Sequence, residues 1–208
     1  MSSLLNQLKS LHSSASSPTP ARSLRGLARL LAYPDAELRA HLGDLLDALH
    51  DEQRLSEARL AGLEKLVSQL AARDGYEVES DYVELFDRGR ATSLHLFEHV
   101  HGDSRDRGQA MVDLVQTYEQ AGLRLNPDNG GELPDYLPLV MEFASTLEAS
   151  AAQGFTGEFA HILNALYAAL LKRRSLYAHV PAALLELMGH TIEPTEVPED
   201  EALDDAWA

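Results

Sequence analysis

Phe159, Ile162, Leu163, Leu166, Tyr167, Leu170 and Leu171 recur at the spacing of one helix face. No other pattern restricts the fold so firmly, because a stretch with this period cannot lie half-buried in a sheet. Thr156 is expected to open the helix and Lys172-Arg173-Arg174 to close it, since cations are favoured at a helix C-terminus. The same period returns upstream. Leu24, Leu27, Ala28 and Leu31 follow Ser23, a good N-cap, and Leu38, Leu42, Leu45, Leu46 and Leu49 follow Asp35. Leu60, Leu63, Val67 and Leu70 follow Ser56. Tyr33-Pro34 separates the first two stretches, because proline disfavours helical geometry in the residue before it.

Further along, Asp81 and Glu84 form an acidic capping pattern for a short helix through Tyr82, Leu85 and Phe86 that stops at Gly89. Leu94 to Val100 is apolar with helical spacing, and Gly102 breaks it. Ser104 then caps a long helix carrying Met111, Leu114, Val115 and Tyr118, which finishes at Gly122. A turn cluster at 126–131 precedes a stripe of Leu137, Val140, Met141, Ala144 and Leu147, with Gly154 as its expected close. A last helix is expected from Pro181 to Met188. No segment sustains two-residue alternation, so the expected fold class is all-α, a single-domain helical bundle. Its domain is placed at 23–190, after a mobile N-terminal arm at 1–22 and before a flexible, disordered acidic tail at 191–208.

Composition removes whole classes of function. The 208 residues contain no cysteine, which excludes disulfides, thiolate metal sites and a cysteine nucleophile. Met1 to Pro20 lacks a basic leader with a continuous apolar stretch, so no secretory signal is expected, and no apolar run is long enough to span a bilayer. With 33 acidic against 17 basic residues the formal net charge is −16, which repels nucleic acid and anionic membrane and favours basic partners.

Chemistry-bearing side chains concentrate in 81–114 and 132–143. His95-Leu96-Phe97-Glu98-His99 matches the pattern of inverted zinc proteases. On a helix it would set His95 and His99 one turn apart around a metal, with Glu98 as base and His101 nearby. The competing reading is that these histidines border a polar loop and bind nothing, and no third-ligand motif follows downstream. Asp81, Glu84 and Asp87 read as salt-laced helix surface neutralised by Arg88 and Arg90. Arg105 and Arg107, and Lys172-Arg173-Arg174, lack the glycine-rich loop that a nucleotide phosphate requires. Glu132 and Asp135 would complement the dipole of the following helix. As exposed carboxylates beside apolar side chains, they could also receive a basic amphipathic peptide.

Tyr82 to Gly102 resembles the NarJ-type assembly chaperones of respiratory nitrate reductase. Glu132, Pro134, Asp135 and Leu137 are similar to the E-x-P-D-H-L signature of the wider superfamily of molybdenum-enzyme chaperones, with Tyr136 at the histidine position. The similarity extends from Leu24 to Met188. It implies a cytoplasmic, non-catalytic chaperone that binds the N-terminal segment of the apo catalytic subunit. That binding would hold the client back from membrane docking while the molybdenum cofactor is inserted. It implies no stably held cofactor, and molybdenum cofactor biosynthesis proteins as further partners. On this reading apolar side chains between the two runs line a peptide groove, and Tyr82, Phe86, Pro134, Tyr136 and Leu137 are among the residues that bind the peptide. Glu132, Asp135 and Glu142 attract the peptide's basic residues, and Arg88, Arg90, His95 and His99 order the rim. Leu4, Leu5, Leu8 and Leu11 of the arm are expected to fill the groove when no client is present. The alternative remains a zinc-dependent hydrolase built on His95, Glu98 and His99.

Overall fold

Seven of the eleven residues of Ala21–Leu31 are buried, among them Leu24, Leu27, Leu30 and Leu31 with no exposure at all. Fully burying one leucine contributes about 1.5–3 kcal/mol, so this helix is the spine of the core. The computed structural model describes residues 19–102, 104–126 and 131–193. Its helices are α1 (Ala21–Leu31), α2 (Ala36–Ala40), α3 (Leu42–Glu52), α4 (Glu57–Ala72), α5 (Gly75–Phe86) and α6 (Leu96–His101). They continue with α7 (Arg105–Gln120), α8 (Leu137–Ala144), α9 (Ala149–Gly157), α10 (Ala160–Lys172) and α11 (His179–Leu187). Short 3₁₀ turns at Arg90–Thr92 and Leu176–Ala178 complete an all-α, single-domain bundle with no strand among the described residues. The expected arm and tail lie almost wholly outside those residues.

Helix α1 packs on α8, α3 and α11; α4 closes the same core from α3 and α11, and α10 lies against α11 and the 3₁₀ turn at Arg90–Thr92. Helices α4 and α11 meet at Gly62, where a Cβ would fall 2.3 Å from His179 Nδ1, so only glycine permits that approach. Two helix N-termini are closed by distant glutamates. Glu52 of α3 accepts from the backbone N–H of Ser23 at 2.7 Å, and Glu186 of α11 accepts from that of Ser56 at 2.6 Å.

This long-range capping moves the first helix start. Ser23 is not its N-cap: α1 begins at Ala21 behind Pro20, and the Ser23 hydroxyl is buried without a partner among the described residues. Asp35 does cap α2, accepting from Leu38 N at 2.7 Å, but the expected helix through Leu49 is broken at His41. Helix α5 starts at Gly75, not Asp81, because Asp74 accepts from Tyr76 N; Asp81 sits mid-helix and pairs with Arg73. Helix α8 ends at Ala144 instead of Gly154. The hydroxyls of Ser145 and Thr146 turn back onto the carbonyls of Glu142 and Phe143, local bonds that compete with helix propagation. Thr156 lies inside α9, back-bonded to Ala152 O at 2.9 Å, and α10 opens at Ala160. The last helix starts at His179 and carries Pro181 in its first turn.

Candidate functional site

Only six residues of the Leu94–Val100 neighbourhood, Leu96–His101, form a helix. The reason lies forty residues away. His95 is extended (φ −89°, ψ 105°) and pairs with Tyr136 in an isolated antiparallel bridge, so the two singled-out runs meet backbone to backbone. Leu137 N donates to Leu94 O at 2.8 Å, and Leu96 N to Asp135 O at 3.1 Å. The Asp135 side chain completes the join: Oδ2 accepts from Phe97 N at 2.9 Å, capping α6, and Oδ1 stands 3.4 Å from His95 Nδ1. Asp135 has no solvent exposure, which corrects its expected place as an exposed carboxylate. A buried carboxylate must be matched by donors, and here an amide and an imidazole supply them. The hydrogen bond to Asp135 is the main influence raising the His95 pKa, against the opposing effect of burial.

An aromatic cluster holds the join to the core. Tyr82 donates to Leu31 O at 2.7 Å, and its hydroxyl lies 3.4 Å from that of Tyr136. Its ring packs on Phe86 and Tyr177 at centroid distances of 4.8 and 6.1 Å. Burial pushes the Tyr82 phenol far above its usual range. Tyr118 of α7 donates to Pro134 O at 2.8 Å, fastening α7 to the second run.

The zinc reading fails on this geometry. His95 precedes the helix, so the two histidines do not share a helical face, and His99 Nε2 donates to Ser93 O at 2.8 Å. Burial lowers the His99 pKa. Glu98 is taken by Arg107 at 3.2 Å and by the Ser93 hydroxyl. Among the described residues no three His, Asp or Glu side chains are placed to hold a metal ion. Arg90 does not neutralise the α5 carboxylates; it donates to the α6 carbonyls of Glu98 and His99, a basic cap on a helix C-terminus.

Beside the join lies an apolar groove of about 410 Å³. It is lined by Leu96, Phe97 and Val100 of α6, by Ala110, Leu114 and Thr117 of α7, and by Phe155, Phe159 and Ile162 from α9, its end and α10. Val140 of α8 also lines it. An aromatic ladder, Tyr118–Phe143–Phe155–Phe159, with centroids 4.6, 5.0 and 5.3 Å apart, ties α7 to α8 and α9.

None of the residues expected to bind peptide lines this groove. Tyr82, Phe86, Asp135 and Leu137 are buried, while Pro134 and Tyr136 are half-buried. Arg90, His95 and Phe86 border a separate polar pocket with Glu98 and Arg107. Arg88 is exposed beside Tyr33 and Tyr76, His99 is turned onto Ser93, and Glu132 and Glu142 are exposed. Helix α7 is expected from its periodicity, but none of its residues is singled out for binding; Leu114 is only half-buried and neighbouring Val112 is 49% exposed. An apolar stripe richer than its burial was the available signal.

The fold is one already known. A crystal structure of a protein from Archaeoglobus fulgidus, proposed to act in redox enzyme maturation, superposes with a TM-score of 0.54 at 18% identity, covering 86% of this chain and 98% of that one. The chain belongs to the nitrate reductase delta subunit family, whose profile matches residues 32–183. It is 46% identical over 182 residues to the nitrate reductase molybdenum cofactor assembly chaperone NarJ of Escherichia coli K12, covering 86% of this chain and 76% of that protein. It is also 35% identical over 156 residues to the nitrate reductase-like protein NarX of Mycobacterium tuberculosis H37Rv, covering 74% of this chain and 22% of that longer protein. The family expected from Tyr82–Gly102 and Glu132–Leu137 is therefore the family found. No helix among the described residues is long and apolar enough to cross a membrane.

Proposed function

We propose that this chain is a molybdenum cofactor assembly chaperone for respiratory nitrate reductase. It acts in the cytoplasm, without catalysing a reaction, by taking the N-terminal segment of the apo catalytic subunit into the α6–α7 groove. Occupation of the groove keeps the client from docking at the membrane while the cofactor is inserted, with cofactor biosynthesis proteins as further partners. The observation that carries the reading is the placement of the first signature run. Leu96, Phe97 and Val100 form a wall of the apolar groove, and Asp135 and Leu137 of the second run hold that wall in place. An amphipathic helix laid in such a groove anchors through side chains at turn spacing.

The singled-out residues then divide by task. Tyr82, Phe86, Pro134, Asp135, Tyr136 and Leu137 frame the groove, and Arg90, His95 and His99 brace α6. Arg88, Glu132 and Glu142 remain on the surface, where they bear on encounter with the client. Calorimetry of the full chain with a synthetic peptide of the client's N-terminus tests the reading. Saturable binding that Leu114→Glu weakens at least tenfold is expected, because a carboxylate would be buried against apolar side chains. Absence of heat, or binding indifferent to that substitution, refutes it.

A further inference from the structure

The described residues that line the groove include two carboxylates, and they belong to different elements. Asp113 lies on α7, one residue before Leu114, and Glu158 follows the last residue of α9, against α10. Among the described residues no lysine or arginine lines the groove, and His101 and His161 are the remaining ionisable groups of its lining. Neither carboxylate belongs to an ion pair among the described residues. Asp113 accepts a single side-chain bond, from Gln109 Nε2 at 2.8 Å. The neighbouring polar pocket is built the opposite way, with Glu98 paired to Arg107 and Arg90 turned onto backbone carbonyls.

We infer that Asp113 and Glu158 are the specificity-determining residues of the groove, which selects a helix whose apolar stripe is flanked on both sides by lysine or arginine. The inference rests on the peptide-groove reading above and deepens it. A helix of about 10 Å diameter turned with its apolar stripe toward Val140 presents one flank to α7 and the other to the α9–α10 junction. Cations on those flanks meet carboxylates that have no ion-pair partner among the described residues, whereas acidic flanks meet like charge. Such charges decide partner choice and encounter rate more than raw affinity. The expected discrimination is therefore several-fold per carboxylate and weakens with salt.

The test uses the full chain and three fluorescent helical peptides sharing one apolar stripe, flanked by lysine, glutamine or glutamate. Anisotropy should rank the lysine peptide first and the glutamate peptide last. Asp113→Asn and Glu158→Gln should each weaken the lysine peptide about threefold, and together about tenfold, while the glutamine peptide is unaffected. Asp47→Asn, an exposed acid of α3 outside the groove, should behave as the parent chain. Retained affinity for the lysine peptide in the double variant overturns the inference, as does equal loss of the lysine and glutamine peptides. Leu114→Glu separates the two levels. If it abolishes binding while the carboxylate variants change nothing, the groove stands and only the charge assignment falls. If it changes nothing either, the groove reading falls with it.

Discussion

Removing the Asp135 carboxylate is the sharpest way to ask what holds the two runs together. Asp135→Ala takes away an acceptor 2.9 Å from Phe97 N and 3.4 Å from His95 Nδ1, and leaves the amide of Phe97 without its cap. A hydrogen bond to a charged group contributes about 1.5–3 kcal/mol, and a buried donor left unsatisfied carries its own cost, so a loss of roughly 3 kcal/mol is expected. For a domain of this size that corresponds to about 6–12 °C in Tm. Asp135→Asn keeps an acceptor for Phe97 and should cost about half as much. The pH dependence adds a second check. The His95 pKa is raised by Asp135, so this contribution is fully present below the ordinary histidine value and is lost as pH rises through the folded value. Urea unfolding at pH 5.5 and pH 8.5 should show the gap between the parent chain and Asp135→Asn narrowing at the higher pH. Parent-like stability of Asp135→Ala, within about 0.5 kcal/mol, would refute the argument.

Other outcomes follow from the same geometry. Glu186 accepts from Ser56 N and Arg59, and although burial opposes it these donors lower its pKa; Glu186→Gln should cost about 1 kcal/mol at pH 7, measured by urea unfolding. Because that pKa is depressed, the parent chain should lose this increment as pH falls below the ordinary glutamate value, and the variant should not. Tyr82→Phe removes the donor to Leu31 O in a buried site and should lower stability by about 1 kcal/mol in the same assay. Dialysis against EDTA should leave the thermal melt unchanged, since His95 and His99 are engaged by Asp135 and Ser93; a falling Tm would restore the metal reading.

Fold class was legible because helical periodicity is a local property, and α10 and α1 carry it without ambiguity. Boundaries differ for two reasons. At α1 a distant partner overruled local chemistry, since Glu52 caps it in place of Ser23, whereas at α5 an earlier local cap, Asp74, starts the helix ahead of Asp81. The site divides in the same way. Its two runs were visible as residue types, but their pairing spans forty positions, and no short pattern encodes such a contact. Asp135 looked like a solvent-facing charge because aspartate before a helix usually is one; here it caps a different helix from inside the protein. Which residues line the groove stayed hidden because a stripe that lines an open cleft has the same spacing as one that fills a core, as α7 does at Ala110, Leu114 and Thr117.

The backbone pairing of His95 with Tyr136 also acts as a ruler. Leu94 and Leu96 point inward on either side of it, at 4% and 3% exposure. A slip of one residue would turn both leucines to water, drive an imidazole into the core and pull Phe97 away from its carboxylate. Deleting or duplicating a single position between Ser93 and Phe97 should therefore scramble the whole cleft, whereas added length near exposed Gly122 would leave that alignment untouched.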